Sequence, residues 1–226
     1  MYINNLIIEV TRRCNMECQH CLRGDQQNSN ISLDYVETLF QKVNYISSIT
    51  FTGGEPSLVP EIIESVLKIA KEYEVGIGNF FIATNGKDIP DAFVIACLHW
   101  YLYCDDNEVS SVTVSTDHYH EGYEGDILKA LSFYDTRGDI PTEAIIREGN
   151  AEDWGYRDHD DYEFDVEEDN IEGDVYLNIN GDIISGCDWS YENQECHKVC
   201  HVNDMTIESF KEYRQPNLAE FLLPSE

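Results

Sequence analysis

The chain alternates short, densely apolar runs with stretches in which apolar residues recur every three or four positions. "NLIIEV" (5–10), "SITF" (48–51), "NFFIAT" (79–84), "SVTVS" (111–115) and "EAIIR" (143–147) read as buried strands. Between the first two, Leu33, Val36, Leu39, Phe40 and Val43 keep helical spacing behind Ser32, whose hydroxyl can cap the first turn. Pro60 suits the first turn of a second helix, carrying Ile62, Ile63, Val66, Leu67 and Ala70 inward. A third helix is expected to hold Phe93, Ala96, Cys97, Trp100 and Cys104, and a fourth Ile127, Leu128, Leu131 and Tyr134. Strands and helices in alternation give parallel strands joined by right-handed crossovers. About five such units are visible, short of the eight of a closed barrel. The expected fold is α/β, a partial (β/α) barrel of about five to six parallel strands over residues 1–150.

The pattern breaks there. Residues 148–174 carry 13 acidic side chains and one basic one, Arg157. Residues 151–174 therefore read as a solvated acidic loop or mobile segment, with cation binding or partner docking as the other uses of such a charge run. "DVYLNINGDIISGC" then sets Asn180-Gly181 between two alternating apolar runs, the signature of a hairpin. Residues 175–226 are expected to form this hairpin, a cysteine-rich extension and a short helix near 206–214.

Composition narrows the function. Of 226 residues 42% are hydrophobic, enough for one sizeable core. The 44 acidic and 14 basic residues leave a formal charge of −30 with no Lys/Arg cluster, which disfavours nucleic acid and leaves a peptide, a protein partner or a small molecule. Solubility alone is the plainer account of that charge. No apolar run approaches the roughly 20 residues of a membrane span, and "MYINNLIIEV" has no basic n-region. The chain thus reads as cytoplasmic, where eight cysteines bind metal, do chemistry or pack in the core rather than form disulfides.

Cys14, Cys18 and Cys21 stand in "TRRCNMECQHCLRG", spaced C-x3-C-x2-C directly after the first expected strand. In a parallel α/β fold that loop lies at the carboxyl face, where ligands bind. A structural zinc site wants four ligands, and His20 would have to supply the fourth from within the same tight turn. Three cysteines holding a four-iron cluster instead leave one iron open to an exogenous ligand. One unit later "TFTGGEP" (50–56) ends the second strand with two glycines, which let backbone approach a ligand closely. "ATNG" (83–86) and "VSTD" (114–117) put small polar side chains at the next two strand ends.

This set resembles the radical S-adenosylmethionine (radical SAM) enzymes over roughly residues 5–150. The resemblance implies a [4Fe-4S] cluster on Cys14, Cys18 and Cys21 whose open iron is chelated by S-adenosylmethionine (AdoMet), with His20 as a ring packing beside it. It implies that Gly53, Gly54 and Glu55 receive the AdoMet amino group, and that Thr84, Asn85, Ser115 and Asp117 are further cofactor contacts. Arg147 in "IIREGNA" would pair with the methionyl carboxylate. Reductive cleavage of AdoMet to a 5′-deoxyadenosyl radical is the implied chemistry, with a donor such as flavodoxin or ferredoxin supplying the electron.

Cys187, Cys196 and Cys200 follow the hairpin, with His197 and His201 beside the last two. Their C-x8-C-x3-C spacing fits neither a zinc-finger pair nor haem attachment. The hairpin ending in "GC" with more cysteines after it resembles a shortened SPASM/twitch-like extension, which implies an auxiliary [4Fe-4S] cluster; zinc, or unligated thiols with one as a hydrogen-atom donor, remain open. Cys97 and Cys104 read as core. His118, Tyr119 and His120 in "DHYHEGY" are either a solvent-facing group or a contact at the mouth of the site. The expected function is modification of a peptide, by epimerisation or crosslinking. With the first strand so near the start, no leader-binding domain is expected before it. The alternatives are a small-molecule radical enzyme, a glycyl-radical activase, and a metal-stapled binding module without turnover.

Overall fold

The computed structural model describes residues 1–120, 123, 125–159 and 162–214. Glu121 and Gly122 of the histidine motif lie outside the described residues. Four of the expected strands are present: β1 (Tyr2–Thr11), β2 (Tyr45–Gly53), β3 (Gly76–Thr84) and β4 (Ser111–Ser115). Neighbours pair in parallel in the order of the sequence. The helices between them are α1 (Leu33–Phe40), capped by the Ser32 hydroxyl, α2 (Pro60–Glu72), with Pro60 in its first turn, and α3 (Asp91–Tyr103).

The fifth strand differs from expectation. β5 is Tyr134–Arg137, parallel to β4, and follows directly on the four-residue α4 (Asp126–Lys129). Tyr134 is thus a strand residue and not the end of a fourth helix. "EAIIR" is instead a 3-10 turn over Thr142–Ala144 followed by loop. The physical reason is edge position: Asp135, Thr136 and Arg137 are exposed, so β5 carries no apolar run.

The acidic stretch contributes strands as well. β6 (Asp165–Glu167) and the start of β7 (Asn170–Leu177) fall within it, and β7 lies parallel to β1. From there β8 (Asp182–Ser185) and β9 (Lys198–His201) continue antiparallel, before α5 (Ile207–Glu212). The turn at Asn180-Gly181 forms as expected, with Asn178 Oδ1 accepting the Asn180 and Asp182 amides and Gly181 at φ +82°. The result is one open nine-stranded sheet of order β5-β4-β3-β2-β1-β7-β8-β9, with β6 on β7. Its six parallel strands match the expected partial barrel.

Alternation along the strands separates the two faces. Leu6, Ile8, Phe51, Phe80, Val112, Val175, Leu177 and Ile183 pack on the helices as the main core. Ile7, Tyr176, Ile184 and Trp189 form a small cluster on the other face. That inner face also carries buried Glu9, whose carboxylate accepts from Arg12, Tyr176 and Gln194. Cys97 and Cys104 are buried in the main core, as expected.

Candidate active site

The cysteine loop leaves β1 and is bonded on both flanks. On one, the Gly54 amide donates to the Thr11 carbonyl and the Glu55 amide to the Arg13 carbonyl, both at 2.8 Å. A Cβ on Gly53 would collide with the Thr11 carbonyl oxygen, and one on Gly54 with that of Arg13; Gly53 also sits at φ +136°. Two glycines are what permit this approach. On the other flank, the Asn150 amide donates to Cys21 O at 2.9 Å and its side chain to Cys18 O at 3.0 Å.

Glu55 is buried and its carboxylate accepts three hydrogen bonds. One oxygen accepts the Ser57 amide (2.9 Å) and the Thr84 hydroxyl (2.7 Å), the other the Asn85 amide (2.8 Å). Glu55 and Thr84 therefore brace the ends of β2 and β3 against each other, and both also line the cavity at these strand ends. Asn85 reaches on to the cysteine loop, donating to Asn15 Oδ1 at 2.8 Å with Cys14 Sγ at 3.9 Å.

These ties gather one cavity of about 180 Å³ lined by Cys14, Cys18, Cys21, the backbone of Gly53 and Gly54, Asn85 and Ser115. A larger cavity of about 720 Å³ shares the three cysteines and Gly54 and runs on to Arg23 and Tyr191. His20 packs on Tyr119 with ring centroids 4.1 Å apart, and on His120.

Other expected site residues lie elsewhere. Asp117 is buried with its carboxylate on the Tyr119 amide and His120 Nδ1, and is not among the residues lining the cavity. Arg147 is exposed; it donates to Gly155 O and lies 3.7 Å from Asp158, also away from the cavity. Cys187 packs on the inner cluster with Tyr176 and Trp189, whereas Cys200, opposite Ile183 on β8, packs on the helix-facing core. The structure thus puts two of the three C-terminal cysteines on opposite faces of the sheet. His201 packs on Tyr35, and His197 is buried against Trp189.

The donor set fits an iron–sulfur cluster better than a single ion. Cys14, Cys18 and Cys21 line the cavity and, among the described residues, no fourth cysteine does, a set that suits a cluster leaving one iron open better than a four-thiolate zinc site. Burial and the neighbouring thiols Cys21 and Cys14 push Cys18 up to about 11, and burial raises Cys14. A bound metal centre would supply the positive charge needed to hold these thiols deprotonated.

Residues 8–132, more than half of the chain, match the family model of the radical SAM superfamily. The chain belongs to the radical SAM superfamily. Members of this superfamily are iron–sulfur enzymes, and the family implies a [4Fe-4S] cluster with AdoMet. A GTP 3′,8-cyclase of Chlorobaculum tepidum is 43% identical over 84 residues, 35% of this chain and 24% of that protein. The putative peptide biosynthesis protein YydG of Bacillus subtilis is 28% identical over 128 residues, 53% of this chain and 38% of that protein. The matches therefore span well under half of these relatives' lengths. Among solved structures, native anSMEcpe with bound AdoMet and Cp18Cys peptide has the same fold, with a TM-score of 0.55 at 12% identity over 95% of this chain and 81% of that one.

In this radical SAM chain the sequence reading passed over Gly149 and Asn150. A Cβ on Gly149 would meet the Gly24 amide at 2.5 Å and Cys21 O at 2.6 Å, so the loop after β5 closes directly on the cysteine loop. Glu148, also passed over, is buried and accepts from Ser190, Asn193 and His159. The signal was Gly-Asn in "EGNA", masked by the acidic run that begins there. No helix among the described residues is long and apolar enough to cross a membrane.

Proposed function

We propose that the chain cleaves AdoMet reductively and abstracts a hydrogen atom from a peptide. The observation that carries this reading is that Cys14, Cys18 and Cys21 share one cavity with Gly53, Gly54, Asn85 and Ser115. Cys14, Cys18 and Cys21 would hold the cluster, which when bound with AdoMet supplies one-electron cleavage to a 5′-deoxyadenosyl radical. The Gly53-Gly54 backbone would receive the AdoMet amino group, and the Ser115 hydroxyl and Asn85 amide lie within the same cavity for its remaining polar groups. Glu55 and Thr84 fix the geometry of that cradle. Flavodoxin or ferredoxin is the expected class of electron donor.

The likeness to YydG, a putative peptide biosynthesis protein, and the larger cavity favour a peptide over a small substrate, and of the two expected reactions epimerisation is proposed on the ground of Cys187. Epimerisation needs a hydrogen-atom donor, and Cys187 is the C-terminal cysteine that packs with the inner-face cluster. Burial, with Asp188 beside it, pushes Cys187 up to about 12, so it keeps the S–H that such a donor spends. An auxiliary cluster drops out of the proposal because Cys187 and Cys200 are on opposite faces. A small-molecule reading rests on the likeness to GTP 3′,8-cyclase. The test of the main reading is anaerobic reconstitution followed by dithionite and AdoMet. Release of 5′-deoxyadenosine is expected, and none in a Cys14/Cys18/Cys21→Ala variant; no release from the wild type would refute it.

A further inference from the structure

The loop after β4 sets an imidazole against one of the cluster cysteines. His120 Nε2 lies 3.8 Å from Cys18 Sγ, within hydrogen-bonding reach for sulfur, although the two residues are 102 positions apart. The other ring nitrogen, Nδ1, is 2.7 Å from Asp117 Oδ1, and that same oxygen accepts the Tyr119 amide at 2.9 Å. Asp117 is 3% exposed, so its carboxylate is a fixed acceptor that sets the ring's orientation. His20 meets the ring edge-on, with centroids 5.5 Å apart, and holds it from the cysteine-loop side. With one nitrogen turned to a carboxylate, the other is left to meet the sulfur.

We propose that His120, oriented by Asp117, hydrogen-bonds the sulfur of Cys18 and raises the reduction potential of the cluster that Cys18 holds. The inference rests on the cluster reading of Cys14, Cys18 and Cys21. The Asp117 carboxylate and a ligand sulfur are both acceptors, and a neutral imidazole has one N–H, so the ring in the loaded site is taken as the imidazolium, with Nε2–H donating to sulfur and Nδ1–H to Asp117. Hydrogen bonds to cluster sulfurs are one of the means by which a protein sets such potentials, and they favour the reduced, more negative state. His120 is a positioning residue in this scheme: it acts through Cys18.

The test is a redox titration of the anaerobically reconstituted full chain, followed by the electron paramagnetic resonance signal of the reduced cluster. Iron is counted in parallel for the wild type, His120→Leu, His120→Gln and Asp117→Asn. His120→Leu is expected to hold the same iron and to be about tenfold less reduced at a fixed potential, which for a one-electron couple is about 59 mV toward the negative. Asp117→Asn should shift the same way, and His120→Gln, which keeps an N–H donor, should recover part of the change. A wild-type potential in either iron-loaded His120→Leu or iron-loaded Asp117→Asn overturns the proposal. So does failure of both variants to take up iron while remaining folded, since the ring would then serve assembly rather than potential. If the wild type itself takes up no iron, the cluster reading falls instead, and the two failures are distinguishable.

Discussion

The carboxylate of Glu55 accepts the hydroxyl of Thr84 at 2.7 Å, and through that bond the end of β2 is fixed to the end of β3. Its other partners are the Ser57 and Asn85 amides, so one buried side chain satisfies three donors at the rim of the candidate site. Glu55→Ala would leave all three donors without the acceptor they have. Bonds to a charged group contribute more than neutral ones, and stranded buried donors add a penalty, so a loss of about 3 kcal/mol is expected. Urea denaturation measures it, and binding of AdoMet to the reconstituted variant should weaken in parallel because the Asn85 backbone is released.

The two glycines of the same turn make a sharper comparison. Gly53→Ala puts a methyl group into the Thr11 carbonyl at a positive φ, and neither element can retreat without parting β1 from β2. Backbone strain of this kind costs on the order of 1–3 kcal/mol before the collision is counted. Gly138→Ala is the control, because a Cβ there meets nothing within 4 Å. Thermal melts should show a drop for Gly53→Ala and essentially none for Gly138→Ala. Iron uptake by Gly53→Ala should fall as well, since Thr11 leads directly into the cysteine loop.

Removal of the two cysteine groups should have opposite effects on iron. Cys14/Cys18/Cys21→Ala takes away all the sulfurs that share a cavity, and the reconstituted variant should hold no cluster. Cys187/Cys196/Cys200→Ala should keep about four irons per chain, the content of a single [4Fe-4S] cluster. Eight irons in the wild type and four in this variant would contradict the placement of Cys187 and Cys200 on opposite faces.

What could be read from the sequence follows from where signal is concentrated. β1 to β4 are covered by helices, so their apolar runs are dense enough to locate them, and C-x3-C-x2-C with GGEP point to residues that line one cavity. β5 escaped because an exposed edge strand has no need of apolar residues, and its place was given to "EAIIR". Arg147 fell with that assignment. β7 was legible only as half of a hairpin: its first residues lie in an acidic run, and nothing local in "NIEGDVYL" says that it pairs in parallel with β1, some 170 residues away. The opposite facing of Cys187 and Cys200 is a matter of strand register, which spacing between cysteines does not encode.

His197 yields a prediction about pH. Its ring is wholly buried, stacked on Trp189 at 3.4 Å with 5° between the planes, and neither nitrogen has a hydrogen-bond partner among the described residues. Burial, reinforced by His159, lowers it to about 4 from 6.5, against a smaller opposing pull from Glu148. The folded state therefore binds fewer protons than the unfolded one between these values. Stability from this residue is fully present above pH 6.5 and is lost as pH falls toward 4. At about 1.4 kcal/mol per pH unit, the loss sums to about 3 kcal/mol. Glu148 acts in a lower window: burial would raise it, but hydrogen bonds from His159, Ser190 and Asn193 outweigh burial and hold it below its ordinary 4.5, so its contribution fades only under more acid conditions. His197→Phe keeps a flat ring against Trp189 and has no proton to take up. Denaturation midpoints measured from pH 7 to pH 4.5 should fall steeply for the wild type and much less for His197→Phe, with the variant the more stable of the two at pH 5. Equal slopes would show that the acid sensitivity comes from elsewhere in the chain.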